Sequence, residues 1–166
     1  MGKTFSFDGT YYPLTDSPGL PKPVQRPHPP ILIGGHGRHR TPRLAARFAD
    51  EYNVVFVSPE ETGAAFGRVR DACAAAGRDP ASLVYSAGQT VCCGRTGAEV
   101  ARRAAAIGED VAQLEATGLA GSPAQVVDKL GRFAAAGASR MYLQVLDLHD
   151  LDHLELIAAE VMPQVH

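Results

Sequence analysis

Four short apolar runs, each followed by a stretch of helical periodicity, constrain this chain more than any other feature in it. The runs are Ile31-Leu32-Ile33, Asn53 to Val57, Leu83 to Cys93 and Met141 to Leu146. The helical stretches open on recognisable start signals: Thr41-Pro42, Ser58-Pro59-Glu60-Glu61, Thr96-Gly97-Ala98-Glu99 and Ser122-Pro123-Ala124-Gln125. A Ser or Thr hydroxyl at such a start accepts from an otherwise unpaired first-turn amide. Proline there loses nothing, because its missing N–H would have had no partner. Strands separated by helices pair in parallel through right-handed crossovers, so the fold class is α/β.

The pattern sets specific expectations. The first helix is capped by Thr41 and runs through Asp50, and the second continues to about Ala76 before Gly77. A further helical stretch lies near Glu109 to Ala116. The next helix places Val126, Val127, Leu130 and Phe133 on one face and stops at Gly137, and the last carries Leu151, Leu154, Ile157, Ala158 and Val161. The fourth strand is apolar on both faces apart from Gln144, as expected of a strand covered by helices on one side and by other strands on the other. A doubly wound sheet and a barrel both satisfy this pattern.

Residues 1–30 are of another kind. Pro18, Pro21, Pro23, Pro27, Pro29 and Pro30 exclude helix and predict an extended connector. Before them, Phe5-Ser6-Phe7 and Tyr11-Tyr12-Pro13-Leu14 flank Asp8-Gly9-Thr10, which reads as a β-hairpin with an Asp-Gly turn. The expected division is therefore a hairpin and proline-rich extension over 1–30 and an α/β body over 31–166.

Lys and Arg number 16 against 18 Asp and Glu, a formal net charge of −2, so no basic field draws the chain to nucleic acid or an anionic membrane. No apolar run reaches membrane-spanning length, and Met1-Gly2-Lys3-Thr4-Phe5 does not lead into the apolar stretch of a secretory signal, so the expected location is cytoplasmic. Cys73 falls in a helical pattern and Cys92-Cys93 in a strand pattern, which is neither a disulfide framework nor a zinc spacing; strand alternation points the adjacent pair to opposite faces. They read as buried thiols.

Chemistry concentrates where the first strand meets its helix. Ile33-Gly34-Gly35-His36-Gly37-Arg38-His39-Arg40-Thr41 sets three glycines beside His36, Arg38 and Arg40 at a strand's carboxyl end and a helix amino terminus. Glycine lets backbone approach a ligand closely, and free first-turn amides attract an anion that an arginine then neutralises, so a phosphate site is the functional reading. The GxGxxG spacing of a dinucleotide fold is absent, and the alternative is a tight turn with solvated arginines.

The order of motifs narrows the choice. Phe5-Ser6-Phe7-Asp8-Gly9-Thr10-Tyr11-Tyr12, Pro21-Lys22-Pro23-Val24-Gln25-Arg26-Pro27, Pro29-Pro30-Ile31-Leu32-Ile33-Gly34-Gly35 and Thr41-Pro42-Arg43-Leu44-Ala45-Ala46-Arg47-Phe48-Ala49-Asp50 together resemble the luciferase-like monooxygenase superfamily. Gly77-Arg78-Asp79-Pro80, Gly121-Ser122-Pro123-Ala124-Gln125-Val126-Val127-Asp128 and Ala136-Gly137-Ala138 continue the resemblance in the same order. It extends over essentially the whole chain and is strongest to the branch described as F420-dependent oxidoreductases.

The resemblance implies a (β/α)₈ TIM barrel to which residues 31–166 contribute strands five to eight and their helices, the C-terminal half. A complete barrel takes about 250 residues; the implied first half carries much of the cofactor ring pocket. The implied activity is oxidoreductase or monooxygenase chemistry on a small-molecule substrate, with coenzyme F420, or alternatively FMN, as cofactor. Ile33, Gly34, Gly35, His36, Gly37, Arg38 and Thr41 are its implied binding residues. Asn53, Ser58, Gln144 and Asp147, at or just beyond strand ends, are candidates for substrate contact, with capping or strand-end hydrogen bonds as the alternative. No residue stands out as catalytic.

Other chemistries fit less well. His149 and His153 are four apart, as helical zinc ligands can be, but Asp150 stands where the zincin glutamate would be and no third ligand is evident, so exposed positions at a helix start are the expectation and no metal is assigned. No GxSxG elbow occurs. A different class of reading is a truncated, split or non-catalytic half-barrel whose exposed strand edges pair with a separate N-terminal half or with a second copy.

Overall fold

The structure, a computed structural model, describes residues 4–165; the Met1-Gly2-Lys3 start considered above and His166 lie outside them. The chain divides into two compact units, Met1–Pro30 and Ile31–His166. In the first, β1 (Phe5–Phe7) pairs antiparallel with β2 (Leu14–Ser17), Phe5 opposite Ser17 and Phe7 opposite Leu14. The expected hairpin is present, but Asp8-Gly9 does not make a two-residue turn. The connection runs from Asp8 to Pro13, and the returning strand begins only after that proline, whose ring has no N–H to give a ladder.

The second unit is built on five strands: β3 (Leu32–Gly34), β4 (Glu51–Val55), β5 (Val84–Cys93), β6 (Leu119–Gly121) and β7 (Arg140–Gln144). Every pairing among them is parallel. β3 lies on β4 and β4 on β5; β5 then pairs through Ser86–Thr90 with β7 and through its last residues, Val91–Cys93, with β6. No sequence signal announces β6. It is three residues long and follows a helical stretch directly, so no period-two pattern can develop.

The helices are α1 (Arg40–Phe48), α2 (Pro59–Ala75), α3 (Gly97–Ala106), α4 (Val111–Thr117), α5 (Pro123–Ala135) and α6 (Leu151–Leu156). The expected starts hold for α2 and α5, where Ser58 and Ser122 form complete capping boxes with Glu61 and Gln125, and for α3, where Thr96 accepts from the Glu99 amide. Gly77 and Gly137 take φ values of +69° and +102° just past α2 and α5, a region that costs a side-chain-bearing residue about 1–2 kcal/mol.

Two helices differ from expectation. α1 begins one residue before Thr41, with His39 at the cap position and no side-chain cap, and it ends at Phe48 rather than Asp50. The Asp50 carboxylate instead accepts from the Ile31 amide at 2.7 Å, which pulls the chain into β4. The C-terminal helix is not one amphipathic rod. α6 gives way to a π-helical segment, Ile157–Val161, and this register change buries Leu156, Ile157 and Val161 while Leu151 and Leu154 stay exposed.

Strand order beyond β3 follows chain order, with β6 as a side excursion, so the sheet is singly wound. A doubly wound sheet would reverse direction and place helices on both faces. Here Tyr52, Val54, Tyr85, Ala87, Val91 and Cys93 share one core with Ala45 and Ala46 of α1, Phe66 and Val69 of α2, Val126 and Phe133 of α5, and Leu156 and Val161. Phe66 meets Tyr52 and Tyr85 edge-on, with ring centroids 6.1 and 5.2 Å apart. Burial of such a ring contributes about 1.5–3 kcal/mol.

Residues of the other parity point away from that core. Leu32, Arg140, Tyr142 and Gln144 are exposed, and Asn53 is half-buried. The expectation that β7 is covered on both faces is thus corrected: Met141 and Leu143 pack toward the helices, while the opposite face is open. Only the far end of β5 is covered there, by α3 and α4, whose Val100, Ala104 and Leu114 pack on Cys92 and Ala120. Cys92 and Cys93 accordingly sit in separate clusters, both buried and free of disulfide. No helix is long and apolar enough to cross a membrane, among the described residues.

Candidate functional site

The carboxyl ends of β3, β4, β5 and β7 form one rim of the open face. At its β3 corner the chain turns through Gly34-Gly35-His36-Gly37-Arg38 into α1. Gly35 is held from two sides: its amide donates to the Asn53 carbonyl at 3.2 Å, and its own carbonyl accepts from the Tyr52 hydroxyl at 2.7 Å. Its φ of +134° is open to glycine alone without strain, and a Cβ on Gly37 would collide with the Thr41 hydroxyl. Thr41 therefore does not cap α1; its side chain fills the concave side of the turn.

None of the amides from His36 to Thr41 donates to a protein acceptor among the described residues. The first turn of α1 carries no acidic residue, and His36, Arg38 and Arg40 are exposed around it. Unpaired amides, the positive end of a nine-residue helix and an arginine on a glycine-rich loop fit an anionic group of phosphate size. Of the seven sequence-derived cofactor residues, Gly34, Gly35, His36, Gly37, Arg38 and Thr41 line this turn, whereas the Ile33 side chain packs into the helix-covered core and contributes backbone only.

The weaker candidates part company. Asn53 stands beside Gly34 in register, and its Nδ2 donates to Ser86 Oγ at 2.9 Å, which sets a polar pair on the open face. Gln144 lies further along the rim, where its Oε1 accepts from the Thr90 hydroxyl at 3.0 Å. Ser58 is consumed by its capping box. Asp147 Oδ1 accepts from the His149 amide at 3.0 Å and closes a turn of the β7–α6 connection.

Several residues carry no clear signal in the sequence. Strand alternation on β5, once its start is fixed at Val84, sends Ser86, Gly88 and Thr90 to the open face. Tyr52 has nothing to mark it beyond its apolar character. Phe56 takes φ +57° and is 53 % exposed, a conformation no local pattern announces.

A buried polar network lies beneath the far end of β5. His153 is 4 % exposed, which corrects its expected exposure; its Nε2 accepts from the Cys93 amide at 2.9 Å. Arg103 donates to the Cys93 carbonyl at 2.6 Å and to Asp150 Oδ2 at 2.8 Å, and Asp150 Oδ1 accepts from the His153 amide at 3.0 Å. Burial, reinforced by the Arg103 charge, holds the imidazole below its ordinary pKa, while the Arg103 hydrogen bond holds the Asp150 carboxyl below its own. Burial pushes the Cys93 thiol up to about 11, so it stays protonated and unreactive. The network joins α3, β5 and α6 through the Cys93 amide, which donates to His153 Nε2, and through the Arg103–Asp150 pair.

Comparison with known proteins gives this geometry a setting. The family model described as luciferase-like monooxygenase matches residues 1–112. The phthiodiolone/phenolphthiodiolone dimycocerosates ketoreductase of Mycobacterium kansasii is 35% identical over 95 residues, 57% of this chain and 26% of that protein. The coenzyme F420-dependent tetrahydromethanopterin reductase of Methanopyrus kandleri superposes with a TM-score of 0.77 at 17% identity, over 97% of this chain and 58% of that one. The oxygenating constituent of 3,6-diketocamphane monooxygenase from Pseudomonas putida, solved with FMN, gives 0.65 at 19% identity, over 99% and 59%. These last two share the fold. This chain spans little more than half the length of either structure, and its 95 matched residues cover about a quarter of the ketoreductase.

Proposed function

This chain belongs to the luciferase-like monooxygenase family, and from that premise we propose that it serves an F420- or FMN-dependent oxidoreductase whose cofactor phosphate rests on the Gly34–Thr41 turn. The observation that carries this reading is the turn itself: six amides without protein acceptors among the described residues, at a helix amino terminus, ringed by His36, Arg38 and Arg40. The deazaflavin or flavin supplies hydride or oxygen chemistry when bound. The chain's own residues bind and orient it. Backbone amides and Arg38 hold the anionic end, Gly34 and Gly35 let the rest lie close to β3, and Asn53, next in register, offers a polar contact beyond them.

The sheet is proposed to be strands five to eight of a (β/α)₈ barrel. Single winding, with helix cover on one face apart from α3 and α4 at the far end of β5, supports this, because parallel sheets are stable when both faces are buried. The open face is polar at Glu51, Asn53, Ser86, Thr90 and Arg140, as a barrel interior around a cofactor would be, and β3 and β7 leave edges unpaired among the described residues. The complementary partner is therefore four further βα units, on the same polypeptide or another; self-association across the same edges is the second reading. The setting proposed is cytoplasmic and the substrate a small molecule.

Fluorescence titration of the chain with F420 and with FMN, alone and with the first-half strands of a family member supplied separately, tests this. Quenching of one cofactor that strengthens with the added half and weakens in Arg38→Gln is the expected result. Equal, Arg38-independent responses, or none with both halves present, would overturn it.

A further inference from the structure

The sheet of the second unit stops at two edges of matched kind. Among the described residues β3 pairs only with β4 and β7 only with β5, and both ladders are parallel. β3, β4, β5 and β7 therefore run side by side, all in one direction, from one free edge to the other. About eight tilted strands close into a barrel whose interior side chains just fill it, so these four are half of a closed ring. The parallel strand that β3 lacks can be β7 of another molecule, and the two-fold axis that makes one such junction makes the second.

The helices beside these two edges are complementary in the same sense. α1, which follows β3, exposes Leu44 and Phe48 one turn apart, with Arg40, Arg43 and Arg47 exposed around them. The Arg47 guanidinium lies 4.7 Å from the centre of the Phe48 ring, so positive charge and apolar surface are presented together. α6, which follows β7, exposes Leu151 and Leu154 with Asp152 and Glu155 beside them, and Leu146 and Leu148 are exposed on the approach to it. None of these five charged residues forms an ion pair among the described residues. In a barrel each outer helix packs on the next around the ring. A junction of β7 on β3 thus brings α6 of one copy against α1 of the other, apolar on apolar and acid on base.

We propose that a second copy of this chain closes the sheet: β7 of each copy adds to β3 of the other, and α6 of each packs on α1 of the other with Asp152 and Glu155 facing Arg43 and Arg47. The proposal rests on the barrel reading above and names the partner. Closure strands no charge inside the ring, because Glu51 accepts from the Tyr142 hydroxyl at 2.8 Å and pairs with Arg140 within its own copy. It also sets the carboxyl end of the second copy's β7 beside the Gly34–Thr41 turn, so that neither turn is left at an open edge.

Sedimentation velocity of the full chain tests this, and a species of twice the 17.6 kDa chain mass is expected. Two charge-reversed chains then probe the junction, both altered only at exposed positions. Arg43→Glu with Arg47→Glu makes both helices acidic, and Asp152→Arg with Glu155→Arg makes both basic. Each chain alone is expected to dimerise at least tenfold more weakly than wild type, because like charges meet at both junctions. An equimolar mixture is expected to recover the dimer, since each junction again joins unlike charges. A wild-type chain that stays monomeric up to millimolar concentration, or reversed chains that dimerise alone as well as wild type or stay apart when mixed, overturns the proposal. A chain monomeric by itself that forms a one-to-one complex with the separately supplied first half of a family member leaves the barrel reading standing while this proposal falls; no complex of either kind removes both.

Discussion

The Tyr52 hydroxyl donates to the Gly35 carbonyl at 2.7 Å, and this contact ties the glycine turn to the helix-covered core. Tyr52 is fully buried among apolar neighbours, and that burial holds its phenol above the ordinary pKa, so the hydroxyl keeps its proton as a donor throughout the neutral range. Tyr52→Phe removes one hydrogen bond without changing packing. Urea denaturation is expected to show a loss of about 0.5–1.5 kcal/mol. Phosphate binding at the turn should weaken several-fold while the core aromatic contacts persist.

Gly37 and Thr41 make a second, independent test of the turn. Gly37→Ala forces its new Cβ against the Thr41 side chain. Anion affinity is expected to fall, and the additional change Thr41→Ser, which removes a methyl group, should recover only part of it because the colliding oxygen remains. Equal affinity in wild type and Gly37→Ala would mean that the close approach has no functional role.

Arg103 and Asp150 are both nearly inaccessible, with side chains 8% and 9% exposed. Removing one partner strands the other charge, so Asp150→Ala is expected to cost about 3–5 kcal/mol, read from the urea midpoint. Arg103→Met with Asp150→Leu should cost distinctly less, since neither charge remains. A double mutant as unstable as Asp150→Ala would show that the interactions with Cys93 and the α6 amide, rather than the stranded charge, dominate.

His153 gives the fold a pH dependence of known sign. Its folded-state pKa is lowered below the unfolded value of about 6.5, so the unfolded chain takes up the proton first. The stabilisation is complete above that value and is lost as pH falls from about 6.5 through the lowered folded pKa. Arg103 and Arg102 reinforce the shift, while Asp150 and Asp147 oppose it. Urea midpoints measured from pH 8 to pH 5 should decline below about 6.5, with a limiting slope of about 1.4 kcal/mol per pH unit. In His153→Gln, whose amide oxygen can still accept from Cys93, the decline should flatten. Asp150, depressed by its Arg103 bond, stays ionised across this window and does not mimic the effect.

Much of this architecture is legible in the residues alone. Ser58 and Ser122 with proline next and Glu61 or Gln125 at the third helical position are local signals, and local chemistry decides those starts. The glycine turn is legible for the same reason. Tertiary contact sets the rest. Thr41 resembles a cap in sequence, yet its hydroxyl is taken by the concave side of the turn; His153 has the sequence context of an exposed residue, yet the Cys93 amide, sixty residues away, draws it inward. Sequential strand order has no local signature, because winding is a relation between strands. Resemblance to a family supplies it in advance, and the pairing of β5 with both β4 and β7 shows it directly. Gln144 stands out as a strand-end polar residue, but its partner Thr90 emerges only from the register of β5 on β7.

Phosphate capture by the glycine turn is tested most directly by a ¹⁵N-edited titration of the full chain with inorganic phosphate and with FMN, following the amides from Gly35 to Thr41. Both ligands are predicted to shift those amides saturably, with affinity reduced at least fivefold in Arg38→Gln. Saturable shifts elsewhere with none in this turn would contradict it.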